Sequence, residues 1–177
     1  MNGLANRQGA GRQGGAAAVE FAFVFPILFL LMYGVIVYAY IFVIQQSLHY
    51  AAQEGAEAAV KVDPASPGAD ALRLQEARRA AADVLRWLPA DQRQRVVGGD
   101  AGDRVSASVC PRGGTVAGVP CPSDSDAMIV RLTFPVLQST EGCQSSAEDL
   151  FPVLCLYLVG RVPPMPQNLI ASAMARI

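Results

Sequence analysis

The chain has 177 residues, of which 52% are apolar and only 16% charged, and its formal net charge is −1 with a pI near 5.8. That balance leaves no basic surface to hold a polyanion, which argues against nucleic acid as a partner. Lys61 is the one lysine among 14 basic residues, a skew that carries no chemistry.

Residues 1–15 (MNGLANRQGAGRQGG) are polar, Gly-rich and cationic, with too little apolar area to fold. A disordered cytoplasmic tail is the plain reading of this stretch. Directly after it the composition changes. Residues 21–44 are Phe, Val, Ile, Leu, Met, Tyr and Ala, interrupted only by Pro26 and Gly34, and no Asp, Glu, Lys or Arg lies between Glu20 and Glu54. As an α-helix this run is roughly 36 Å long, enough for a ~30 Å hydrocarbon layer with some tilt. A helix in the core of a water-soluble domain would carry a polar stripe, and this one has none. The sequence predicts a single pass through a lipid bilayer. The run is also too long for the roughly 7–15 apolar residues of a cleaved secretory signal, and that reading is the weaker one.

The flanks give an orientation. Arg7, Arg12 and the amino terminus precede the span without an acid, whereas residues 45–65 hold Glu54, Glu57 and Asp63 against Lys61. The positive-inside rule then keeps the N-terminus in the cytoplasm and exports residues 45–177. All four cysteines, Cys110, Cys121, Cys143 and Cys155, fall on the exported side, where disulfides persist.

The junction itself is patterned. Gly14-Gly15-Ala16-Ala17-Ala18-Val19-Glu20-Phe21-Ala22, followed by Pro26-Ile27-Leu28, resembles the N-terminal signature of TadE-like proteins. These are the minor pilins, or pseudopilins, of tight-adherence (Flp-type) pilus systems. The resemblance continues in a Gln-Ala-Ala-rich helix ending near Glu-Gly-Ala, here residues 45–56, and is specific over about residues 12–60. It implies cutting by a prepilin peptidase between Gly15 and Ala16, with Glu20 as fifth residue of the mature chain. Glu20 and the adjoining Phe21 become assembly residues. Here the leader departs from a dense Lys/Arg cluster, since only Arg7 and Arg12 precede the cut.

Two readings of Glu20 stand side by side. It is either an acid at the cytoplasmic interface, favoured near a helix N-terminus, or a carboxylate that meets an Ala16 amine created by cleavage, its own or a neighbouring subunit's. Pro26 removes one helix hydrogen bond and is expected to kink or loosen the helix. It is either a tolerated membrane proline or a bend that helps helices pack in a filament.

Beyond the membrane, residues 45–62 are expected to extend the helix, with Ala51, Ala52, Ala56, Ala58 and Ala59 keeping one side small. Asp63-Pro64 ends it. Asp70 is expected to cap a second helix over 71–88, with Leu74, Ala77, Ala81, Leu85 and Leu88 inward and Arg73, Glu76, Arg79, Asp83 and Arg86 mostly outward. Trp87 is read as packing against a sheet, and Pro89 as closing the helix. Val96-Val97 then leads into a Gly/Asp turn at 98–103. Strands are expected at 105–109, 128–134 and 169–177, with loops at 110–127 and 138–149. Residues 150–159 form an apolar segment too short to span as a helix. The expected architecture is α+β: a long N-terminal transmembrane helix extending into a small exported domain with a second helix and a three- to four-stranded antiparallel sheet. The divisions are a leader at 1–15, the helix at 16–62 and the exported domain at 63–177.

Four cysteines allow three pairings. The local choice is Cys110–Cys121 with Cys143–Cys155, each closing a loop of about a dozen residues worth roughly 3 kcal/mol. No Cys-x-x-Cys exists and the single histidine, His49, lies near the membrane, so neither a metal centre nor a His-dependent catalytic site is expected. Asp100 with Asp103, and Asp124 with Asp126, read as turn acids, the latter with weak calcium binding as the other use. No cofactor is expected, and the chain is not expected to be an enzyme. Two function classes remain. One is a structural minor pilin with the prepilin peptidase, other pilins and the lipid bilayer as partners, acting in pilus assembly, adhesion and biofilm formation. The other is an uncleaved bitopic adaptor of an envelope complex. The expected location is the bacterial inner membrane, with the exported domain in the periplasm and the mature subunit entering an extracellular pilus.

Overall fold

The computed structural model describes residues 14–98, 104–116, 118–136, 154–156, 160–162 and 165–176. It is α+β, as the sequence predicts, and divides into two compact units, Met1–Tyr38 and Ala39–Ile177. Helix α1 is continuous from Gly14 to Val60. At about 1.5 Å per residue its length is roughly 70 Å. Pro26 lies inside it and does not end it. The described part of the first unit is one turn after another of exposed apolar side chains.

In the second unit α1 changes character. Ile41, Ile44, Leu48, Ala51 and Ala52, Ala56 and Ala59 are buried, a set spaced three and four apart along one face. This is the alanine-rich side that the sequence marks. Beyond Val60 the last turn tightens, with the Lys61 and Val62 amides donating to the Ala58 and Ala59 carbonyls. Helix α2 runs Ala69–Val84, passes into a 3₁₀ turn at Leu85–Trp87, and is followed by α3 at Ala90–Val97.

Five expectations need correction here. Asp70 does not cap α2: the N-cap is Gly68, at φ 75°, and Asp70 stands in the first turn. Glycine takes this left-handed geometry without the Cβ clash that an L-residue meets. The helix stops short of residue 88 because the chain tightens from 3.6 to about 3 residues per turn. Leu85 and Leu88, three apart, are both buried, while Trp87 is 47% exposed and so is not a core residue. Pro89, expected only to close a helix, is also the N-cap residue of α3. Arg73, expected outside, is buried.

The main sheet has three antiparallel strands in the order β1 (Val105–Cys110), β4 (Ala127–Pro135) and β7 (Asn168–Arg176). The register sets Val130 opposite Ala107 on one side and Ala173 on the other. Met128, Val130, Leu132 and Phe134 share one face of β4 by its period of two, and all are buried. Ala127 and Ile129, on the opposite face, join Cys110 in a second small core. Val116, Val119 and Cys121 pack on that core from the ribbon of β2 (Thr115–Val116) and β3 (Val119–Pro120). A further ribbon pairs β5 (Leu154–Leu156) with β6 (Gly160–Val162), inside and just after the apolar segment 150–159.

Helix and sheet meet at Gly55. A Cβ built there would lie 3.2 Å from the Ala77 carbonyl oxygen and 3.4 Å from Val130 Cγ1. Three elements, α1, α2 and β4, thus converge on a residue with no side chain. Gly55→Val should destabilise the second unit by about 1–3 kcal/mol through overpacking. In Gly55→Ala the crowding is offset by about 1 kcal/mol of helix propensity, so that variant should stay close to wild type. Chemical unfolding of the three proteins checks the order. A Val variant as stable as wild type would contradict the close approach.

Candidate functional site

The residues singled out by the sequence lie together in the first turns of α1. Gly14 and Gly15 open the helix, and its first turn contains no acidic residue. Glycine is about 1 kcal/mol less favourable than alanine in a helix, so two in succession make the start of α1 its easiest turn to open. The Gly15–Ala16 bond sits in that turn. Residues 1–13 of the leader, with Arg7 and Arg12, lie outside the described residues.

Glu20 is exposed and forms no ion pair or hydrogen bond among the described residues. It is the only Asp, Glu, Lys or Arg between Arg12 and Glu54. Four positions separate it from Ala16, a rise of about 6 Å, so the two share a helix face. Phe21 begins an aromatic row on the same helix. Its ring centroid is 5.3 Å from that of Phe25, which is 6.3 Å from that of Phe29. Phe21 is 64% exposed. This apolar surface reaches a mean hydropathy of 2.6 over its best stretch, compatible with a single-pass membrane anchor. Glu20 is the one carboxylate in the part of α1 up to Ile44.

Within the second unit, Gln45 ties the helix to the terminal strand. Its Nε2 donates to the Ile170 carbonyl at 3.1 Å and lies 3.0 Å from His49 Nε2. The lone histidine is thereby placed in an exposed side-chain hydrogen bond. Sequence reasoning gave no signal for the long-range partner, since 125 positions separate Gln45 from Ile170.

Cys110 and Cys121 form a disulfide, as expected for the local pairing. The proposed Cys143–Cys155 pairing lies outside the described residues, as do Asp100 and Asp103. Asp124 and Asp126 are each engaged by a cation instead of each other: Arg176 Nη2 is 3.5 Å from Asp124, and Arg112 Nε is 3.5 Å from Asp126. The Arg112 amide also donates to Asp126 at 3.1 Å. These pairs hold the β2–β3 loop against the strand ends. Among the described residues no three His, Cys, Asp or Glu side chains come together.

The model of the TadE-like protein family matches residues 15–57. No curated protein and no solved structure matches the chain. The matched segment begins at Gly15 and ends two residues after Gly55. It therefore takes in both the helix start and the point where α1 meets α2 and β4.

Proposed function

Because the chain carries a TadE-like segment over residues 15–57, we propose that it acts as a minor pilin, or pseudopilin, of a tight-adherence (Flp-type) pilus. In this reading it is a structural subunit, not an enzyme. A prepilin peptidase cuts after Gly15, and the mature chain begins with Ala16. Glu20 and Phe21 then lie in the first turns of the mature helix, where they engage other pilins in the bilayer.

The observation that carries the proposal is the single helix Gly14–Val60, which joins a cleavable glycine start, one carboxylate and an apolar run to a folded α+β unit. The Arg7/Arg12 flank supports a cytoplasmic N-terminus. The Cys110–Cys121 bond supports a periplasmic location for the folded unit, since cytoplasmic disulfides are rare. Pilus assembly, and through it adhesion and biofilm formation, is the process served.

Deleting the coding segment in the native bacterium should remove surface pili counted by electron microscopy, and a plasmid copy should restore them. A deletion strain with wild-type piliation and adherence would contradict the proposal.

A further inference from the structure

Arg73 is the one buried charged residue among the described residues, at 8% exposure. It lies in the second turn of α2, and its Nη1 donates to Asp70 Oδ1 at 3.2 Å. The pair is one-sided: the Asp70 side chain is 91% exposed, so water solvates the acid while the protein encloses the cation. Arg73 Nε is buried and has no hydrogen-bond partner. An enclosed guanidinium N–H left unbonded is unfavourable.

A cavity of 230 Å³ lies against this side chain. Asp70 and Arg73 form one side of it, and Ala107, Ser108, Val109 and Met128 the other. Three of those residues are consecutive on β1, an outer strand of the three-stranded sheet. An outer strand has one row of backbone N–H and C=O groups that its own sheet does not use.

We propose that the cavity receives the carboxylate side chain of an extended segment of a partner protein laid along β1. The guanidinium supplies parallel donors that match the two oxygens of a carboxylate. Asp70 at the rim repels a dianion more than a monoanion, which favours a carboxylate over a phosphate. Strand addition supplies affinity through the main chain, and the buried cation supplies selectivity for an acidic residue at one position. The site lies on α2 and β1, outside residues 15–57, and does not depend on cleavage at Gly15.

The test uses the full chain in detergent micelles and the ¹⁵N–¹H resonance of Arg73 Nε. The probes are the blocked peptide acetyl-Val-Glu-Val-amide, its Gln counterpart and glutarate. The Glu peptide should move the resonance saturably, and the Gln peptide and glutarate should bind at least about tenfold more weakly. Arg73→Met should abolish peptide binding. Asp70→Asn alters an exposed side chain and removes the competing acceptor, so it should fold normally and tighten binding several-fold. Equal binding of the Glu and Gln peptides would overturn the proposal, as would glutarate binding as tightly as the peptide. Unchanged or weaker binding in Asp70→Asn would overturn it too.

Discussion

Glu20→Gln and Glu20→Ala should insert into the membrane and fold like wild type, yet bring pilus number down to that of a deletion strain. A charged carboxylate at the centre of a bilayer costs about 2.5–3.5 kcal/mol on insertion scales and less towards the interface, so its removal favours insertion. The folded unit begins at Ala39, and its core contains no contribution from Glu20. What the variant loses is the partner for a cation on an otherwise apolar helix. The cation available is the Ala16 amine, which exists only after cleavage at Gly15. An amine left unpaired in lipid after loss of the carboxylate penalises association, because breaking a desolvated pair costs more than never having formed it. Co-isolation of the variant with other pilus components, beside pilus counts, separates assembly from insertion. Wild-type piliation in Glu20→Ala would reduce the carboxylate to a helix-end charge and favour the uncleaved adaptor.

Replacing both Cys110 and Cys121 by Ala should destabilise the folded α+β unit by about 3 kcal/mol. The bridge closes a loop with a sequence separation of 11, for which the chain-entropy model gives about that value. The loss has a structural route as well. Cys110 is fully buried beside Ala127 and Ile129, and Cys121 anchors the β2–β3 ribbon over the same face. Without the bridge the ribbon is held by the Cys121 amide to the Gly114 carbonyl, the Gly113 amide to Pro122, and the exposed Arg112–Asp126 and Arg176–Asp124 pairs. Exposed ion pairs contribute little. The melting temperature should fall by about 10 °C, and reductant should bring the wild-type chain to a similar value. A shift below about 2 °C would show that the bond constrains nothing important.

The membrane helix and the strands were legible because their patterns are strong. The run from Phe21 to Ile44, interrupted only by Pro26 and Gly34, is compatible with a single-pass membrane anchor, and Met128 to Phe134 alternates about a buried face. The Cys110–Cys121 pair was legible from its bracketed Pro/Gly/Ser loop. Helix α3 was not. Ala90–Val97 offers a single buried residue, Val96, among Asp, Gln and Arg, so no apolar period announces it. The end of α2 was misread because a 3₁₀ turn replaces the last helical turn; Leu88 is still buried, as expected, while Trp87 turns outward. The burial of Arg73 depends on β1 arriving from more than thirty positions away. Gly15, Glu20 and Phe21 were singled out by the resemblance to the TadE-like signature, and they follow one another at the start of one helix. The place of Gly55 against Ala77 and Val130 needed three dimensions.

The N-terminus of the protein isolated from membranes of cells that make the prepilin peptidase tests the pilin assignment most directly. Intact-mass and N-terminal sequence analysis should find a chain that starts at Ala16, and a Gly15→Val variant should retain all 15 leader residues. A wild-type chain that begins at Met1 or Asn2 in those cells would contradict the assignment.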